Sequence, residues 1–268
     1  MNDNHLNDLG FRLLAPSPQL RLFVRSFWYF ASTTPLQKFR EEYMHPGGGW
    51  GIIFNLGDRL YLDGEPVTDP VFLDGTNTIS RKMGFAGRIE LIGIRFSESG
   101  AYSCLGLPLH YLKNETAILD STTNLNLLHL YARLYETPIL AMRIKLLEGW
   151  ILKQLTVGRQ CSPLIPQSLT LLRHTNGAMS IPIMAQELAV SQRHLERLFL
   201  SQVGMSPKQY SCLLRIEAAR LALRQYPTQT TTELAFALGY YDQSHFIREF
   251  KAVVGVPPNT YKKRRQSG

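Results

Sequence analysis

The apolar positions follow two different rhythms along the chain. Through residues 11–105 they come as short β-prone runs closed by turn residues. Leu22–Phe30 is rich in aromatic residues. Ile52–Leu56 runs into Gly57–Asp58, Leu60–Leu62 into Asp63–Gly64, and Val71–Leu73 into Asp74–Gly75; Ile89–Phe96 is a further run. Short strands separated by Gly/Asp turn signals predict an antiparallel barrel or sandwich. From about Leu119 the spacing becomes helical. Leu125, Leu128, Leu130 and Leu134 predict one apolar helix face, and Leu140, Ile144, Leu147, Ile151 and Leu155 a second. These two helices could cover the barrel or pair with a second copy. Gly158–Pro166, with Pro163 and Pro166, breaks the pattern and predicts a linker. The expected division is therefore 1–157, a mainly β domain with trailing helices; 158–166, a linker; and 167–268, an all-helical domain.

The helical domain says the same thing twice. Ser191–Phe199 aligns with Asp242–Phe250 at an offset of 51 residues, and Gly204, Pro207 and Tyr210 align with Gly255, Pro258 and Tyr261 at the same offset. Ahead of each run stands a short helix. Ser180, with Pro182 in the first turn, starts the first. Thr230 with Glu233 gives the second a capping-box signal. Each pair predicts helix, tight turn, helix. Ala185 matches Ala235 at an offset of 50, so the second turn carries one extra residue. Ser206–Pro207 opens a long connecting helix with Leu213, Leu214, Ala218, Leu221 and Ala222 on its expected buried face.

At about 100° per residue, the second helix of each pair has an inward and an outward side. Leu195, Leu198, Phe199, Gln202 and Val203 face inward in the first copy, and Phe246, Phe250 and Val253 in the second. Arg193, Glu196, Arg197 and Leu200 face outward, with Gln192 at the edge. Their counterparts are Ser244, Ile247, Arg248 and Lys251, with Gln243 at the edge. Glu249 falls on the flank, where it can meet a basic residue of a neighbouring helix. Arg suits guanine, Gln adenine and Glu cytosine, while Ile meets the thymine methyl, so the outward set has the chemistry of base reading.

Charge sharpens this picture. Residues 1–155 carry 15 Lys+Arg and 15 Asp+Glu, whereas 156–268 carry 14 and 6. The entire net charge of +8 therefore belongs to the duplicated part, which favours a polyanion partner. Lys262–Arg265 adds a phosphate-attracting cluster. Cys104, Cys161 and Cys212 are scattered, so neither a disulfide framework nor a metal site is expected. Met1–His5 has no signal-peptide character, and no apolar run is long enough to span a bilayer. A cytoplasmic location with no membrane partner is the expectation.

Gly239–Phe246, Arg248, Phe250, Lys251, Gly255–Pro258 and Tyr261, together with Ser191, Arg193, Leu195, Arg197, Phe199, Gly204, Ser206–Pro207 and Tyr210, resemble the signature of the AraC family of bacterial transcription regulators. The resemblance covers about residues 166–265. It implies two helix-turn-helix units joined by a helix, placing their second helices in adjacent major grooves of a bipartite double-stranded DNA site. It further implies a barrel-like N-terminal domain that binds an effector, dimerises, or does both. RNA polymerase and a second copy are the other implied partners; no cofactor is implied.

The β domain itself names no ligand. Its barrel could hold a small molecule or be filled by its own side chains. Trp28, Tyr29, Trp50 and Phe54 are assigned to the core rather than a pocket. His45 beside Gly47–Gly49 lacks companion ligands for a metal, and the triple glycine lacks the pattern of a nucleotide loop. The leading expectation is an effector-controlled DNA-binding regulator. The alternative is a regulator whose N-terminal domain only dimerises or meets a protein. An enzyme is disfavoured, because no nucleophile, acid/base pair or metal cluster stands out.

Overall fold

The computed structural model describes residues 10–46, 49–114, 116–118, 126–226 and 229–266. Leu125 of the first helix face and Gly47–Gly48 lie outside these residues, as do the side chains of Arg264 and Arg265.

Among the described residues, ten strands build two antiparallel sheets. They are β1 (Phe11–Leu14), β2 (Val24–Ala31), β3 (Leu36–Met44), β4 (Gly51–Asn55), β5 (Leu60–Leu62), β6 (Glu65–Val67), β7 (Val71–Asp74), β8 (Arg81–Gly87), β9 (Glu90–Phe96) and β10 (Thr116–Ile118). The larger sheet has the order β1-β2-β9-β4-β7-β10, and the smaller β3-β8-β5-β6. They form a sandwich and not a closed barrel. The Asp63–Gly64 signal is realised as the β5–β6 turn, with φ of 51° and 92° at its two residues.

Strand alternation gives the larger sheet two apolar faces. Phe30, Ile53, Phe72 and Leu91 meet Leu60, Leu62, Met83 and Phe85 of the smaller sheet. Phe27, Ile52, Phe54, Ile92, Ile94 and Phe96 turn the other way, under helices α1 (Gly100–Leu105), α2 (Leu127–Glu136) and α3 (Leu140–Val157). So α2 and α3 cover a sheet, the first of the two roles open to them. Leu128 is a correction: it is 63% exposed, because the face that packs is Leu127, Leu130 and Leu134.

The helical part has its own core. Helix α4 (Leu164–His174) begins inside the segment expected to be linker, with Pro166 in its first turn, where a missing N–H is tolerated. There follow α5 (Ile181–Glu187), α6 (Gln192–Gln202), α7 (Pro207–Gln225), α8 (Thr231–Ala237), α9 (Gln243–Val254) and α10 (Pro258–Gln266). The connector α7 starts in a complete Ser206/Gln209 capping box. Its buried stripe runs through Leu213, Ile216, Ala219 and Leu223, so Leu221 is exposed, against the expectation from its spacing.

Candidate nucleic-acid interface

Each outward helix is started by a side-chain cap. Ser191 accepts from the His194 N–H, and Asp242 accepts from the His245 N–H at 2.7 Å. Ser180 begins α5 without such a bond, whereas Thr230 and Glu233 complete a capping box before α8. Both inter-helix turns close identically: the Val190 N–H donates to the Ala185 carbonyl and the Tyr240 N–H to the Ala235 carbonyl, each at 3.0 Å. Val190 and Tyr240 are thus equivalent, and the extra residue of the second turn is Tyr241, which is 90% exposed. The left-handed position one residue earlier is Gly239 (φ 76°) in one unit and Ala189 (φ 52°) in the other.

The inward residues anchor both helices. Leu195, Phe199 and Val203, and Phe246, Phe250 and Val253, are buried, each side chain contributing about 1.5–3 kcal/mol of transfer free energy. Among the outward set, Gln192, Arg193, Arg197, Ser244, Arg248 and Lys251 are exposed; Glu196, Gln243 and Ile247 are half-buried. Several are held by neighbours. The Gln192 amide donates to Glu196 at 2.9 Å, Arg197 lies 3.1 Å from His194 Nδ1, and Thr232 donates to Gln243 at 3.0 Å. Glu249 pairs with Arg215 of α7 at 3.3 Å, the basic neighbour its flank position called for. The two outward faces differ in character, one charged and one milder.

Among the described residues, the β domain meets this helical part at several places. Thr76 donates to the Val203 carbonyl just beyond α6 at 3.1 Å. Ser80 directs both its N–H (2.7 Å) and its hydroxyl (2.9 Å) at the Val253 carbonyl of α9. Glu98, only 4% exposed, accepts from Tyr210 and Arg173. Burial would raise its carboxyl pKa, but the Arg173 guanidinium beside it leaves it below the ordinary value. The turn Leu109–Leu112 abuts α6, so that His110 shares a groove with Arg193, Glu196 and Arg197. None of these contacts was visible in the sequence, since each joins residues far apart in the chain.

A cavity of about 90 Å³ lies between the two sheets. Trp28, Phe30, Ile53, Met83 and Phe85 line it, as do Glu42, His45, Trp50, Asp74, Asn77 and Arg95. The four aromatic residues assigned to the core therefore divide. Phe54 packs under the helices, Tyr29 donates to Glu90 on that side, and Trp28 lines the cavity; Trp50 is buried in the same core as Phe54 and also borders the cavity. His45 is 2.7 Å from the Ser80 hydroxyl. No cluster of His, Cys, Asp or Glu fit for a metal occurs among the described residues, and no helix among them is long and apolar enough to cross a membrane.

Residues 184–264 match a family described as a helix-turn-helix domain, and residues 12–117 match a domain of unknown function. Over 103 residues the chain is 35% identical to a putative AraC-like transcription regulator of Streptomyces lividans, covering 38% of this chain and 33% of the relative. Over 147 residues it is 25% identical to an uncharacterized HTH-type transcriptional regulator of Haemophilus influenzae, covering 55% and 45%. The chain thus spans less than half the length of these relatives. Among solved structures, ToxT from Vibrio cholerae matches with a TM-score of 0.47 at 15% identity, covering 88% of this chain and 97% of that one.

Proposed function

We propose that the chain is a sequence-specific DNA-binding transcription regulator of the AraC type, controlled by an effector in its β domain; the match of residues 184–264 to a helix-turn-helix domain and the likeness to an AraC-like regulator support this. Helix α6 presents Gln192, Arg193, Glu196 and Arg197 to one major groove. Helix α9 presents Gln243, Ser244, Ile247, Arg248 and Lys251 to the next. The side chains on the outward faces discriminate base edges, and the lysines at Lys251, Lys262 and Lys263 hold phosphates without reading sequence.

One observation supports effector control above the others. The loop 75–80 has the cavity on one side and both reading helices on the other. Asp74, Asn77 and His45 line the cavity, while Thr76 and Ser80 hold the carbonyls at the far ends of α6 and α9. A ligand with different affinities for two settings of this loop shifts the balance between two arrangements of the helices. The closeness of His110 to Arg193 and Arg197 fits an arrangement in which α6 is partly screened.

A second reading, a β domain that dimerises without any ligand, draws support from Leu128, Tyr135, Ile139 and Met142, large apolar side chains that α2, α3 and their junction leave exposed. Two measurements test these readings. Fluorescence anisotropy on a selected duplex tests DNA binding. Sedimentation of the wild type and of Ile139→Asp tests whether that face holds a second copy. Failure to enrich any duplex from a random pool would refute the DNA-binding reading.

A further inference from the structure

We propose that the cavity between the sheets binds a small organic carboxylate with an apolar body, seated with its carboxylate over Gly51 and against Arg95. This deepens the effector reading above and rests on it for its regulatory meaning, though not for the binding itself.

The register of the larger sheet builds the site. Gly51 is paired with Arg95 on one side and with Asp74 on the other. Directly paired residues share a face, so the two charged side chains flank a position that carries no side chain. The result is a polar notch in the cavity wall. One step along the strands, the row becomes Trp28, Gly93 and Ile53. There the Trp28 indole fills the space over Gly93, where an added methyl carbon would fall 2.2 Å from the ring. Over Gly51 the nearest side-chain atom to such a carbon would be Asp74 Cβ, at 3.7 Å. So one glycine of the cavity face is covered and the other is left open.

Three polar groups at this end await a partner. Arg95, half-buried, makes no hydrogen bond or ion pair among the described residues, and burial lowers its pKa. Trp50 is 1% exposed and its Nε1 has no acceptor; Asn77 is 9% exposed and its Oδ1 has no donor. Buried polar groups of this kind cost free energy until they are paired. Two of the three are donors, and the strongest is a guanidinium, whose fork matches a carboxylate.

The acids around Arg95 have partners of their own: Glu98 and Glu217, which act on its charge from behind the notch, pair with Arg173 and Arg25. Glu42 is paired with Arg40 at 2.6 Å. His45 is engaged with Ser80. Asp74 is held by Asn77 Nδ2 at 2.7 Å, and burial raises its carboxyl pKa. Beyond the notch the walls are Trp28, Phe30, Ile53, Met83 and Phe85, which suit a ring or a short alkyl chain. A volume of about 90 Å³ limits the body to roughly that size.

The full chain is titrated with phenylacetate and hexanoate, and with the neutral isostere phenylacetamide and the cation 2-phenylethylamine, following calorimetry and the fluorescence of Trp28 and Trp50. At least one acid binds, and phenylacetamide and 2-phenylethylamine bind about tenfold more weakly or not at all. Arg95→Gln removes the preference for acid over amide. Binding of neither acid, or equal binding of acid and amide to the unaltered chain, overturns the proposal, even if Arg95→Gln does not fold. An acid that binds in this way but leaves the affinity for a selected duplex unchanged upholds the site and refutes only the effector reading.

Discussion

Arg197 and Arg248 occupy equivalent places in the two units and are both exposed. Replacing either with alanine is expected to weaken specific DNA binding by about 1–3 kcal/mol and to relax preference only at the bases that its own helix meets; anisotropy against single-base variants of a selected duplex checks this. Ala189 offers a contrasting test of stability. A non-glycine residue in the left-handed region costs about 1–2 kcal/mol, and glycine's greater unfolded-state freedom costs about 0.5–1 kcal/mol. Ala189→Gly should therefore raise stability slightly, and Gly239→Ala should lower it, by chemical denaturation. The arginines were legible in the sequence, because periodicity and charge suffice to find them. The strain at Ala189 was not, since alanine gives no hint of a left-handed turn until its equivalence with Gly239 is seen in the structure.

At the scale of elements, the caps decide where each reading helix starts. Ser191→Ala and Asp242→Ala should each cost about 0.5–2 kcal/mol, measured as a fall in denaturation midpoint, and should loosen the first turn, which carries Gln192 and Arg193 or Gln243 and Ser244. The sequence marked the turns between the helix pairs and five of the ten strands described. It passed over β3, whose charges Lys38, Arg40, Glu41 and Glu42 hide its alternation because it lies at a sheet edge with water on one side. It also passed over β1, β6, β8 and β10. Helix α4 began earlier than its prolines suggested, because a proline in the first turn of a helix marks a beginning as readily as a break. The place of Trp28 at the cavity depends on which face of its strand meets the second sheet, and that is fixed by packing partners distant in the chain.

For the whole molecule, Glu98 is the main polar tie between the β domain and the helices. Its carboxyl pKa is depressed in the folded chain, so its contribution is complete above the unfolded value of about 4.5 and is lost as pH falls through the depressed value. Glu98→Gln should flatten that acid limb in fluorescence-monitored unfolding, and the same variant should loosen the hold of the β domain on Arg173 and Tyr210. The concentration of positive charge in residues 156–268 predicts DNA affinity that falls steeply with salt; a flat response would contradict a phosphate-dominated interface. The central claim is that two non-identical reading helices in one chain share a bipartite site, and selection of duplexes from a random pool tests it most directly. Two short boxes of different sequence are expected, roughly one helical turn (about 10 base pairs) apart, with Arg197→Ala erasing preference in one box and Arg248→Ala in the other. A single uninterrupted box, or a preference unchanged by either substitution, would contradict it.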